Sequence, residues 1–374
     1  MSWPMVKLHD ICRPKQWKTI AASSLLESGY PVYGANGKIG FYSQFTHEFP
    51  TLMITCRGAT CGNVHISEPK SYINGNAMAL DDIDQSKVDI KYLYYFFLKR
   101  GFSDVISGSA QPQITGQGLT KVEIPLPPLL EQKRIVATLD KTAGIRQKRE
   151  KAIKLADDFL RATFLEMFGD PVGNPKGWKK DKIKKGVLDI TSGWSASGEN
   201  IPCKSNEFGV LKISSVTSGI FKPEENKVVD CKTIPTSKKL ILPKKGDLLF
   251  SRANTRELVA AICMVHQDYN NVFLPDKLWS IKLNHELLLP EFFLVLIQNE
   301  KVRELLTKQA TGTSGSMLNI SKNKFEETEI IFPEINVQKD FCNAFSKIIN
   351  LKEKSIKSNE LANESFNSLS QKVF

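Results

Sequence analysis

The sequence predicts an α+β chain built twice. Two similar mixed α/β domains are each followed by a long helix, and the two helices pair as an antiparallel coiled coil, giving a pseudo-twofold plan. Three observations carry this. The stretch "IPLPPLLEQKRIVATLDKTAGIRQKREKAIKLADDFL" (Ile124–Leu160) returns in diluted form as "IIFPEINVQKDFCNAFSKIINLKEKSIKSNELANESF" (Ile330–Phe366) without a gap. The offset is constant at 206 residues, aligning Pro127 with Pro333, Gln132 with Gln338, Leu155 with Leu361, Ala156 with Ala362 and Phe168 with Phe374. Long-period self-similarity of this kind decides architecture before any local pattern does. Second, the residues before each copy also resemble one another. Third, 374 residues exceed what one ordinary core serves.

The first domain, residues 1–124, opens with "SWPMVKLHDI", and the second, residues 171–330, with "GNPKGWKKDKIKKGV". Each places an apolar residue five positions after a tryptophan: Trp3 with Leu8, and Trp178 with Ile183. Mid-domain, "TLMITCRGAT" answers "GDLLFSRANT", an apolar strand-like run ending in a polar turn that carries Arg57 or Arg252. Next, "KYLYYFFLKR" answers "EFFLVLIQNE" as a helix. A Gly/Ser/Gln-rich tail loop then closes each domain, "SGSAQPQITGQGL" in one and "TGTSGSMLNISKNKF" in the other. Short β-branched runs mixed with one or two helices make each domain mixed α/β.

The helical spacers occupy residues 125–170 and 331–374. Pro127 and Pro128 suit a helix start, where a missing N–H costs nothing, and Gly169-Asp-Pro stops the first helix. About 36 residues at 1.5 Å each make a rod of roughly 54 Å. A 4-3 spacing picks out Ile135, Leu139, Thr142, Arg146, Arg149, Ile153, Ala156, Leu160, Thr163 and Met167. The same positions in the second copy run from Phe341 through Lys352 to Val373. Both stripes are apolar at the ends and polar in the middle, and a 4-3 stripe on two equal helices is what an antiparallel coiled-coil pair requires.

Composition narrows the class. Lys+Arg 51 against Asp+Glu 40 gives a net charge of +11, which favours a polyanionic partner, nucleic acid before membrane. Seven scattered cysteines without a CxxC pair read as reduced thiols, and the histidines are too dispersed for a zinc site. The first residues lack a signal-peptide apolar core, and no window reaches bilayer length, so a soluble cytoplasmic protein is expected.

Catalytic signatures are missing. There is no GxGxxG after a strand, no GxxxxGK[ST] loop and no run able to grip an extruded base. In "LPDKLWSIKL" Ser280 stands where a nuclease would need a second metal-binding carboxylate. The chain reads as a binder, not an enzyme.

The segment "IPLPPLLEQKRIVATLDK", preceded by "GSAQPQITGQGL", echoed near the end and joined by "GNPKGW", resembles the specificity subunit of type I restriction-modification systems across the whole chain. The second copy departs from the pattern: Glu334-Ile335-Asn336-Val337 replaces Pro128-Leu129-Leu130-Glu131, and Met317 stands opposite Gln111. The resemblance implies two target-recognition domains that bind a bipartite double-stranded DNA sequence, one half each. It implies helices that dock two methyltransferase (modification) subunits, with a translocating restriction subunit able to join. It implies no cofactor here, since S-adenosylmethionine, ATP and Mg²⁺ belong to the partners. Two rivals are a fused type II restriction-modification polypeptide and a coiled-coil scaffold. Missing catalytic motifs speak against the first, the charge and the two Arg-bearing turns against the second.

Base reading needs donors and acceptors on positioned loops, typically Arg to guanine and Asn or Gln to adenine. The first domain offers Asn36, Lys38, Arg57, Thr60, Gln111 and Gln113; the second offers Trp194, Ser195, Arg252, Asn254, Arg256 and Lys277. Lys179–Lys185 is either a phosphate contact or a solvated face. On the helices, Gln132, Arg146, Arg149, Gln338 and Lys352 are expected to meet the modification subunits.

Overall fold

A computed structural model of the chain describes residues 3–35, 37–108, 111–312 and 317–374. It divides into two compact units. One comprises Met1–Ala152 with Ser355–Phe374, the other Ile153–Lys354. The division therefore falls inside both long helices, Leu129–Phe168 of 40 residues and Ile335–Val373 of 39.

In the first unit a four-stranded antiparallel sheet has the order Arg13–Gln16, Ala77–Asp81, Leu52–Thr55, Val64–Ile66. A three-stranded sheet has the order Gly37–Tyr42, Tyr30–Gly34, Tyr72–Ile73, and its last pair is parallel. Met5–Lys7 pairs with Glu123–Pro125 to close the domain. Leu52–Thr55 is buried on both faces because strand alternation serves two cores. Leu52 and Ile54 enter the main core with Leu80, Tyr92 and Phe97, while Met53 joins Tyr33 and Ile73 under the smaller sheet. The helix Ile90–Arg100 begins at Asp89, whose carboxylate accepts from the N–H groups of Lys91 (2.8 Å) and Tyr92 (3.2 Å).

The second unit repeats this wiring strand for strand. Its four-stranded sheet runs Val187–Ser192, Leu278–Leu283, Leu248–Ser251, Ile262–Met264, and its three-stranded sheet runs Asn226–Val229, Phe208–Leu211, Val272–Phe273, again with one parallel pair. Lys180–Lys182 pairs with Glu329–Ile331. Leu248 and Phe250 enter its main core, and Leu249 enters the smaller one with Cys263 and Leu278. Most of its extra length lies in two insertions. The strands Phe208–Leu211 and Asn226–Val229 are joined by a connection containing the short helix Ser214–Thr217, where the first unit has a tight hairpin. A lysine-bearing segment also separates Val229 from Leu248.

Residues of the 4-3 stripe enter the core of each unit, joined in the second by Phe164 and Phe168 beside the stripe. In the first, Ile135 and Leu139 join the main core, with Phe366, Leu369 and Val373 of the C-terminal helix packed against it, and Phe374 sits 5.4 Å from Tyr92. In the second, Phe164 and Phe168 each lie 5.5 Å from Phe341, and Phe168 packs edge-on against Phe292 at 4.8 Å. Within each unit the helical segments are antiparallel. Arg146 lies over Phe366 and Arg149 donates to the Ser358 carbonyl in one, and Lys352 pairs with Asp157 at 2.5 Å in the other.

Candidate nucleic-acid interface

In the first unit three segments converge at the end of the central strand. Thr55 and Thr60 both donate through Oγ1 to the Ala35 carbonyl, at 2.6 and 3.4 Å, tying the hairpin turn to the Arg57 turn. The tail loop pairs alongside: Arg57 bridges to Gln113, Gly58 N–H bonds to Pro112 O at 3.1 Å, and Ile114 N–H to Cys56 O at 3.0 Å. Arg57, Gln111 and Gln113 are exposed there, and among the described residues no carboxylate pairs with the Arg57 guanidinium. Lys38 points elsewhere, holding Glu68 at 3.3 Å and lying over the Phe41 ring. Asn36 lies outside the described residues.

In the second unit the corresponding edge is denser. Gly193 stands where a Cβ would come within 1.9 Å of the Leu274 carbonyl oxygen, so only glycine lets Trp194 N–H reach that oxygen at 2.9 Å. The Trp194 ring stacks on Phe273 with a 12° tilt. Ser195 donates to Asp276 Oδ1. Arg252 donates through Nε to Asp276 O at 2.8 Å and through Nη1 to Asn319 Oδ1 at 2.7 Å. Asn254 turns its Oδ1 back to the Thr255 N–H, Arg256 is exposed, and Lys277 lends its carbonyl to Arg252 N–H at 3.1 Å. Trp194, Ser195, Arg252, Asn254 and Lys277 are thus brought to one edge. The sequence reasoning passed over Asn319 as a contributor. The signal was present: it stands at the 206-residue offset from Gln113, as Ile320 does from Ile114 and Ser321 from Thr115. Thr115 and Ser321 cap equivalent short helices, so the tail loops correspond despite Met317.

The two Arg-bearing turns do not align as their letters suggest. Backbone pairing makes Thr55 equivalent to Ser251, so Cys56 matches Arg252 and Arg57 matches Ala253. One residue of slip sends a side chain to the opposite face of extended chain. Hence Arg57 is exposed, whereas Arg252 is turned into the loop cluster and only 26% exposed.

The lysine run is mostly consumed internally. Lys182 and Lys184 grip Glu327 at 2.5 and 2.6 Å, holding its carboxyl down at about 2, and Lys185 pairs with Asp181 at 2.6 Å. Burial pushes the Cys12 thiol up to about 12, and partial burial does the same for Cys342. Ser280 is buried within the sheet, between Thr191 and Leu249.

Residues 2–155 and 175–362 match the family model described as type I restriction modification DNA specificity domain. The chain belongs to this family. Among curated relatives, the EcoEI specificity subunit of Escherichia coli is 25% identical over 175 residues, 45% of this chain and 28% of that protein. The EcoKI specificity subunit of Escherichia coli strain K12 is 24% identical over 247 residues, 63% of this chain and 52% of that one. The chain thus aligns with about a quarter to a half of the length of these relatives. The crystal structure of the type I S subunit from M. genitalium shares the fold, with TM-score 0.68 and 14% identity over 100% of this chain and 96% of that chain.

In this specificity-domain chain the helix residues need correction. Gln132 and Gln338 are fully buried. Gln132 accepts from Asp89 N–H (2.8 Å) and donates to the carbonyls of Lys87 and Pro127 (2.8 Å each). Gln338 repeats this with Leu289 N–H (2.9 Å), Leu287 O (2.9 Å) and Pro333 O (2.8 Å). A side chain so committed brackets domain to helix and cannot touch a partner protein. Arg146, Arg149 and Lys352 also face inward, between the paired helices, so the expected surface contacts at these positions are not available. The exposed apolar residues of the helices include Leu130, Ile145 and Leu361 in the first unit, and Leu155, Phe159, Leu165 and Leu351 in the second.

Proposed function

We propose that this chain is the DNA sequence-specificity subunit of a type I restriction-modification complex. Each unit reads one half of a bipartite, gapped duplex target. The helices dock modification subunits, to which a translocating restriction subunit is added. This chain contributes recognition and no chemistry, and works in the cytoplasm. The observation that carries the reading is the strand-for-strand duplication of the domain, with a polar loop cluster at the same edge of both copies. Supporting it are the net charge of +11 and the match of both copies to a DNA specificity domain family.

The stoichiometry of two modification subunits draws support from repetition on the helices. Ile145 and Leu351 are related by the 206-residue offset, as are Leu155 and Leu361, and all four expose apolar side chains. Equivalent apolar pairs on each unit suit two copies of one partner. Candidate base contacts are Arg57, Gln111 and Gln113 in the first unit, and Trp194, Ser195, Arg256 and Lys277 in the second, with Thr60 and Asn254 beside them.

The test is genome-wide methylation mapping in cells carrying this chain with its cognate methyltransferase, and again after its deletion. Methylation at one split, gapped motif should vanish on deletion, and replacing residues 1–124 by another such domain should change one half only. Arg57→Ala should relax the choice of base within the first half and lose about 1–3 kcal/mol of discrimination there. Methylation that persists unchanged after deletion defeats the reading.

A further inference from the structure

The two units part company at the position shared by Cys56 and Arg252. Their backbones are equivalent: each N–H bonds 3.1 Å to the residue preceding the neighbouring strand, Asn76 O or Lys277 O, and each carbonyl accepts from the tail loop, from Ile114 N–H at 3.0 Å or Ile320 N–H at 2.8 Å. In the first unit this site holds a buried thiol, approached by Gln16 Nε2 at 3.0 Å. In the second it holds a guanidinium that gathers three segments far apart in sequence. Nε reaches the Asp276 carbonyl, Nη1 reaches Asn319, and Nη2 lies 3.8 Å from the Asp276 carboxylate, which in turn accepts the Ser195 hydroxyl.

We infer that Arg252 is a positioning residue for the second half of the DNA target: it locks the Ser195, Lys277 and Asn319 loops into one surface and does not itself read a base. The inference rests on the DNA-reading function proposed above. Guanine readout by arginine needs a free pair of donors presented to the groove. Here two of the five donors are spent on protein oxygens and a third nitrogen leans on a carboxylate. A planar fork is what lets one side chain serve an amide oxygen, a carbonyl and a carboxylate together, which lysine could not reproduce. The second half-site is therefore read through a preorganised loop cluster, the first through a turn whose arginine is open to solvent.

The experiment uses the full chain in complex with its modification subunit. Binding and methylation are measured on the mapped target and on duplexes carrying each single base-pair change in either half. Arg252→Gln should weaken binding of the mapped target by about tenfold or more, the scale of one lost base-pair interaction, and weaken every second-half variant by the same factor. The order of preference among bases should survive, and first-half discrimination should be unaltered. Asn319→Leu should reproduce the loss, Asn319→Asp, which keeps an acceptor for Nη1, should restore it, and the Arg252→Gln/Asn319→Leu pair should be no worse than the poorer single change. Relaxed discrimination at one base pair alone would make Arg252 a reader and overturn the inference, as would strictly additive losses. An unaltered complex that shows no preference for any gapped duplex removes the underlying DNA-reading function instead.

Discussion

Replacing Gln132 by leucine should strip protection from the Asp89 amide and from the helix Ile90–Arg100, at a cost of about 3–9 kcal/mol to the first unit. The fully buried side chain satisfies one N–H and two carbonyls. Leucine matches its bulk but leaves all three groups unpaired, and each buried orphan costs roughly 1–3 kcal/mol. Gln338→Leu should do the same to Leu289 N–H, Leu287 O and Pro333 O in the second unit. Hydrogen exchange by mass spectrometry separates the two cases. Each substitution should raise exchange in its own bracket and leave the other bracket's peptides unaltered. Equal protection in the variant and the parent would refute the bracketing role.

Phe341→Ala should cost the second unit about 3–5 kcal/mol. Phe341 is fully buried, with Phe164 and Phe168 each 5.5 Å away and Phe345 at 6.3 Å. Aromatic pairs of this geometry add roughly 0.5–1.5 kcal/mol each beyond burial. Against a typical domain stability of about 5–15 kcal/mol, the loss brings the second unit close to unfolding at growth temperature. Limited proteolysis should then cut within Ile153–Lys354 while the sheet around Leu52–Thr55 resists. A variant as resistant as the parent would show that the aromatic cluster contributes little.

The architecture was legible because it is written twice. Helix starts marked by proline, a 4-3 stripe with apolar ends and a constant offset each pointed to the same plan. Every stripe position from Ile135 to Met167 and from Phe341 to Val373 is withdrawn from full exposure. The site was harder to read. Matching "TCRGAT" to "FSRANT" by its arginines placed the two turns one residue out of register, since strand ends are equated by backbone pairing that letters do not display. Gln132 and Gln338 look like surface polar residues on an amphipathic helix. Their identity in both copies was the available clue, because a buried amide with three fixed backbone partners tolerates no substitute. Lys38 and the Lys179–Lys185 run show the converse: a charge is free for a polyanion only where the fold offers it no carboxylate.

The division of the chain has a consequence for biosynthesis. The first unit takes its last helical segment from Ser355–Phe374, which supplies Phe366 and Phe374 to the apolar surface around Tyr92, Tyr95 and Phe96. The second unit is contiguous. Domains emerging from a ribosome fold as units when their residues become available. Here the part made first must wait, with an aromatic face uncovered, until Ser355–Phe374 has been made, while the part made second can complete itself beforehand. Loss of the last few helical turns before Phe374 would thus injure the first unit rather than the second.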